Sequence, residues 1–356
     1  MISSAYIHIP FCMSICSYCD FCKFYYNKDM VNKYLLALEQ EIKDRYKGEV
    51  LNTIYIGGGT PSCLNIEELT RLFEILKVFK VNNLEYTIEC NIENITEEKL
   101  ILFKQYGINR ISIGIQTFND KYIKYLNRNH TKDSALKTIN LVKKYFQNIN
   151  VDLIYALPNQ TLEELEIDLD TYLNLDVSHI STYSLLIEPH TVLYNKNEEN
   201  IDENLDYEMY KLICHKLSDY EHYETSNFGK IKSRHNLVYW NNEEYYGFGM
   251  GASGYVNSIR YDNTKSFNEY TKGNYVKEEI YQTDKMKIEN EFILGLRKIS
   301  GIDINVFKKK YNMDIKSVKG VNELVDKKQL ILTDDTLSIH PDYWYLANDI
   351  LINFID

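Results

Sequence analysis

From residue 5 to about residue 186, short β-branched runs alternate with amphipathic helical stretches six times in succession, and no other feature narrows the possible folds as far. The strand candidates are 5–9, 53–56, 86–90, 110–115, 151–155 and 180–185. Between the first two, Val31, Tyr34, Leu35, Leu38 and Ile42 recur at helical spacing; between the next two, Leu69, Leu72, Phe73 and Leu76 do the same, so each stripe is core packing. Six parallel units with helices outside predict an α/β fold, a partial (β/α)6 barrel whose reactive face lies at the C-terminal ends of the strands.

After about Pro189 the alternation stops, and 195–204 is a polar, acidic stretch that reads as a linker or exposed loop. The expected division is a barrel over 1–190, a further region over 191–283 and a C-terminal cap over 284–356. The middle region opens with a helix at 207–217 and continues through aromatic, strand-like segments. In the cap, a helix around 289–297 precedes 329–332 and 336–339, which flank Asp334-Asp335 as a hairpin, and an apolar helix over 343–354 completes a winged-helix-like pattern. A winged helix can bind DNA, but a net charge of -11 and a pI near 5.3 have the wrong sign for a polyanionic partner, so a structural cap is expected and no nucleic acid. Lys308-Lys309-Lys310 is read as a solvated helix face. Hydrophobic residues at 44% exclude a disordered chain, and no apolar stretch approaches the roughly 18 residues that span a bilayer, so a soluble protein without stable membrane insertion is expected.

Directly after the first strand, four cysteines crowd into one loop: Cys12, Cys16, Cys19 and Cys22. The first three, spaced CxxxCxxC, can hold an iron-sulfur cubane, and three thiolates leave one iron open for a further ligand. A zinc knuckle is the bland alternative, but zinc sites draw their ligands from two separated pairs, and no second CxxC or HxxxH lies downstream. A disulfide framework is less apt, since a chain this long buries a core unaided and no secretory signal precedes the loop; reduced thiols fit a cytoplasmic protein. Cys22 either closes the cluster or stands beside it, and the tightness of the loop favours the bystander. Cys63, Cys90 and Cys214 default to small core residues.

Other polar groups cluster at the same strand ends. The turn Gly57-Gly58-Gly59-Thr60-Pro61-Ser62 carries more glycine than a tight turn needs, which favours close backbone contact with a ligand. Glu89-Cys90-Asn91, Gln116 and Asp152 end or lie in the following strands, and together they place carboxylate and amide groups around one pocket. In Leu126-Asn127-Arg128-Asn129-His130, Arg128 can clamp a carboxylate through two hydrogen bonds. Far downstream, His235 lies in Ser233-Arg234-His235-Asn236-Leu237-Val238-Tyr239-Trp240; a neutral imidazole among aromatics is either an axial metal ligand or a core histidine. The stretch 249–254 spells GxGxxG, but no βαβ unit surrounds it and no acidic residue follows at the proper distance, so it is a poor dinucleotide fingerprint.

Residues 6–12, the CxxxCxYCDF loop, GGGTPS, 109–116 and 152–155 together resemble radical S-adenosylmethionine proteins over nearly the whole chain. Within that superfamily the likeness is to oxygen-independent coproporphyrinogen III oxidase and a haem-chaperone relative. The resemblance implies that Cys12, Cys16 and Cys19 ligate a 4Fe-4S cluster whose open iron is chelated by S-adenosylmethionine. It also implies that Tyr6, Gly58, Gly59, Thr60, Glu89, Gln116, Arg128 and Asp152 line the S-adenosylmethionine site, and that an electron donor reduces the cluster. Three features favour the chaperone: only five residues precede Tyr6, Asp20-Phe21 separate the third and fourth cysteines, and 235–240 matches the chaperone's HNxxYW. The expected function is therefore haem binding and delivery to an acceptor protein, a respiratory one among the candidates. The alternatives are oxidative decarboxylation of coproporphyrinogen III and radical chemistry on an unrelated substrate. Two positions depart from the family, Ser253 where histidine is usual and Ala156 where glycine is usual; the first removes a further candidate haem ligand.

Overall fold

In the computed structural model, which describes residues 1–355, each of the six β-branched runs is a strand: β1 (Ser4–Ile9), β2 (Val50–Gly58), β3 (Lys80–Asn91), β4 (Arg110–Gln116), β5 (Asn148–Tyr155) and β6 (His179–Ser184). They pair in chain order and all in parallel. Strand alternation divides the two faces: Ile111, Ile113 and Ile115 are fully buried beneath the helices, while Arg110, Ser112, Gly114 and Gln116 point the other way, into the lumen. The helices supply the complementary stripes. Lys28–Arg45 buries Val31, Tyr34, Leu35, Leu38 and Ile42, and Ile66–Leu76 buries Leu69, Leu72, Phe73 and Leu76. Reciprocal capping by Asn65 with Glu68 and by Thr161 with Glu164 starts two of the helices within a few residues of a strand end, which keeps the βα turns short.

The sheet extends past the six strands. Tyr246–Phe248 pairs in parallel outside β1, and the antiparallel strands Asn227–Gly229 and Glu221–Glu224 continue beyond β6, giving nine strands in all. Residues after the polar stretch thus return to both edges of the barrel sheet. Edge strands of three or four residues are too short to show a period in sequence. Glu41, fully buried on the first helix, holds one of these edges through Gly249 N at 2.8 Å, Asn263 Nδ2 at 2.7 Å, Tyr270 OH at 2.7 Å and Arg45 at 2.6 Å. Every acceptor site on that carboxylate is used, which is what makes a buried charge tolerable.

Beyond Asp284 the order is helix (Asp284–Gly295), strand (Ile302–Asp303), two helices (Ile304–Tyr311 and Val321–Asp326) and a hairpin (Leu330–Leu332 with Thr336–Ile339), the order of a winged helix, around a core that includes Phe292, Phe307, Leu324, Leu337 and Trp344. The expected single helix over 343–354 is instead a 3-10 turn (Pro341–Leu346), a short helix (Ala347–Leu351) and a second 3-10 turn (Ile352–Phe354), bent so that Phe354 stacks on Phe292 at 4.3 Å. Among the described residues no helix is long and apolar enough to cross a membrane.

Candidate cluster and cofactor site

The cysteine loop leaves β1 and is tied at its neck. Phe11–Cys12 pairs with Phe24–Tyr25, Phe24 N donates to the Pro10 carbonyl at 2.6 Å and Tyr26 N to the Cys12 carbonyl at 2.8 Å. The His8 ring bridges the loop's far end to the barrel, Nε2 lying 2.8 Å from the Cys22 carbonyl and Nδ1 3.0 Å from Tyr6 OH. So pinned, the loop borders a cavity of about 470 Å³ over the C-terminal ends of the strands. Cys12, Cys16 and Cys19 line it; Cys22 does not, and it packs instead on Gly251, where an added Cβ would meet its Cβ at 2.6 Å. The three thiols thus border one shared space.

Gly58, Gly59, Thr60, Glu89, Gln116, Arg128 and Asp152 line the same cavity, so seven of the residues expected to bind cofactor come together with the three cysteines. Glu89 accepts from Tyr55 OH at 2.7 Å and Gly58 N at 3.0 Å. Burial pushes its carboxyl up to about 7, those two donors partly offset the rise, and Asp152 adds to it. Asp152 accepts from Asn150 Nδ2 at 2.7 Å and is raised by burial too. Arg128 directs Nη1 at the Cys16 sulfur at 3.3 Å and Nη2 at Asn91 Oδ1 at 3.0 Å and the Gly114 carbonyl, leaving Nε buried with no partner. Asn91 in turn donates to Thr60, whose hydroxyl stands 3.5 Å from the Cys12 sulfur. Gln116 ends β4 at φ 74, a left-handed conformation that a non-glycine residue keeps only where its surroundings hold it.

Three expectations are corrected. The glycine run is required by the protein itself: a Cβ on Gly57 would stand 2.9 Å from Glu89 Oε1, on Gly58 (φ +118) 2.8 Å from the His8 ring, and on Gly59 2.9 Å from the Cys12 sulfur. Packing by itself already requires all three glycines, so the run is no separate sign of a ligand, while Gly58 and Gly59 do line the cavity. Tyr6 is one layer behind the cavity wall, stacked at 6.1 Å on Tyr55, and it is Tyr55 that lines the cavity. That residue was overlooked, although the period of two from Gly57 puts it on the lumen face. The third correction is His235. It is 1% exposed, its Nδ1 lies 2.7 Å from Thr53 Oγ1 and its Nε2 2.8 Å from Tyr239 OH, and its ring stacks on Tyr55 at 5.2 Å. Both ring nitrogens are engaged, so in this conformation neither can reach an iron. The helix Arg234–Trp240 carries His235 beneath the lumen, and Glu85 on β3 accepts from the Arg234 and His235 amides, both at 2.9 Å.

Residues 6–171 match the model of the radical SAM superfamily. The chain is 38% identical to the haem chaperone HemW of Lactococcus lactis over 99% of its own length and 97% of that protein, and 39% identical to HemW of Bacillus subtilis over 88% of each. The chain belongs to the HemW family. Among solved structures, coproporphyrinogen III oxidase (HemN) of Escherichia coli superposes with a TM-score of 0.87 at 22% identity, covering 99% of this chain and 90% of that one, which establishes that the HemW-family chain shares the HemN fold. The oxidase likeness stops at the fold, whereas the HemW likeness extends through the sequence.

Proposed function

We propose that the chain is a cytoplasmic haem chaperone that carries a 4Fe-4S cluster and S-adenosylmethionine and passes haem to an acceptor protein. One observation supports this above the others: three thiols from a single loop and two buried carboxylates line one cavity, in a chain whose HemW relatives match it from end to end. The residues suit the groups. Cys12, Cys16 and Cys19 offer three soft donors on one loop around one cavity, as a cubane with an open iron requires. Glu89 and Asp152 offer negative charge to a sulfonium, and the Arg128 Nε offers an unused donor to a carboxylate. When bound and reduced by an electron donor, the cluster supplies the electron for S-adenosylmethionine chemistry. The chain's own part is to hold the thiols through Thr60 and Arg128 and to orient the carboxylates through Tyr55, Gly58 and Asn150. The acceptor, which can be a respiratory protein, lies outside what the cavity specifies.

The decisive experiment reconstitutes the cluster anaerobically and runs two assays on one preparation. Haem titration is expected to give a saturating Soret band, and coproporphyrinogen III with S-adenosylmethionine and a reductant is expected to release no carbon dioxide. Sustained decarboxylation would establish the oxidase instead.

A further inference from the structure

Arg110 has the largest fully buried side chain among the described residues, at 1% exposed. It opens β4 on the lumen face shared by Ser112, Gly114 and Gln116, all of which line the cavity. The register gives its depth. Arg110 pairs with Thr87 and Asn148; one step up, Ser112 pairs with Glu89 and Asn150; one step further, Gly114 pairs with Asp152. The backbone of Arg110 therefore lies in the layer directly beneath the cavity floor. Among the described residues nothing gives it a hydrogen bond or a carboxylate within 4 Å, and its Nε is buried and unpartnered. The Ser4 and Thr87 hydroxyls, also on the lumen face, are buried without partners as well.

A buried cation costs several kcal/mol unless it is compensated, and the orphaned hydroxyl of Thr87, its register partner, marks a place for ordered water. The nearby imidazoles do not carry charge, since burial first and the Arg110 charge second hold His179 and His235 neutral. We propose that Arg110 is a positioning residue for the cofactor cavity, acting through buried water to keep Glu89 and Asp152 in their carboxylate form, ready for a sulfonium cation. The inference rests on the assignment of the cavity to S-adenosylmethionine.

The electrostatics agree in sign. Burial drives both carboxyls upward; Arg110 opposes it at both, and Arg128 also at Asp152. The other titratable groups facing them are the phenols of Tyr6, Tyr55, Tyr183 and Tyr239 and the thiol of Cys90, each driven further toward its neutral form by burial. Without the Arg110 charge the carboxyls hold their protons to higher pH, and a bound proton competes with a bound cation.

The test is equilibrium binding of S-adenosylmethionine to the full chain with its cluster reconstituted and oxidised, across the neutral and mildly alkaline range. Arg110→Met and Arg110→Gln are both expected to bind about tenfold more weakly at neutral pH, the equivalent of one pKa unit, and to recover as pH rises. Arg110→Lys is expected to follow the wild type. Affinity profiles of the Met and Gln variants that superimpose on the wild-type profile would overturn the inference while leaving the cavity assignment intact. A wild-type chain that binds no S-adenosylmethionine would remove the assignment and the inference together.

Discussion

Arg128 points a guanidinium nitrogen at the Cys16 sulfur from 3.3 Å, while its other terminal nitrogen is anchored on Asn91 and the Gly114 carbonyl. A fixed positive donor beside a cluster sulfur favours the reduced, more negative state of the cluster. Arg128→Met is therefore expected to move the midpoint potential negative, on the order of tens of millivolts, with iron content near that of the wild type. Anaerobic redox titration followed by electron paramagnetic resonance reads the shift, and an unmoved potential would show that the contact does not reach the cluster.

Gly59 faces both the Cys12 sulfur, at 2.9 Å from its would-be Cβ, and the Phe11 carbonyl oxygen, at 2.8 Å. The sulfur belongs to a candidate ligand and the carbonyl to a strand neck, so neither yields cheaply. Gly59→Ala should introduce overpacking of about 1–3 kcal/mol and displace Cys12. Iron and sulfide per chain after reconstitution should fall well below wild type; full iron loading of the alanine variant would show that the loop can relax.

His235 should matter for stability more than for haem. Replacing it by Ala empties a buried position and leaves Thr53 and Tyr239 without their partner, an expected loss of about 2–4 kcal/mol in denaturant unfolding. His235→Gln retains polar atoms there and should bind haem with an unchanged Soret band. Loss of that band from a His235→Gln protein of wild-type stability would return the residue to the iron.

Acid should destabilise the apo protein in a defined window. Burial lowers His235 to about 3 and His8, His130 and His222 to about 4, so the native state keeps them neutral while the unfolded chain protonates them near 6.5. Their contribution is complete above 6.5 and declines as pH falls toward those native values. Glu89 and Glu224, raised to about 7 by burial, and Asp168, raised to about 6, work in the opposite sense, since they take up protons in the native state first. His179 is lowered as well, and Asp152 and Asp206 are raised, so five histidines stand against five carboxyls; the displacement is large at all five histidines but at only three of the carboxyls, and on that balance the unfolded chain binds more protons. Urea midpoints measured from neutral to mildly acid pH should decline; a midpoint that rises instead would mean that the carboxyls dominate.

The barrel strands could be read from the chain because each is a run of β-branched residues long enough to show its period, as in 110–115, and each is followed by a helical stripe. The cysteine loop was equally plain, since CxxxCxxC is a local spacing. The edge strands Glu221–Glu224, Asn227–Gly229 and Tyr246–Phe248 show in the sequence only as aromatic, strand-like segments, without bounds or a place in the barrel sheet, because three or four residues carry no period of their own and are strands only where a neighbour offers its hydrogen bonds. Tyr55 was missed for another reason: an aromatic residue in a buried strand looks the same whether it faces a helix or a lumen.

Local order alone thus determined the six parallel units, the loop that follows the first of them and the set of polar strand ends. What the tertiary structure decided was burial and partnership. It left Cys16 open to the cavity and packed Cys22 on Gly251, it put Tyr6 behind Tyr55, and it engaged both nitrogens of His235 with Thr53 and Tyr239. The physical reason is that these contacts join residues as far apart as Cys22 and Gly251, and whether a side chain meets a ligand or a neighbour depends on which distant segment closes over it.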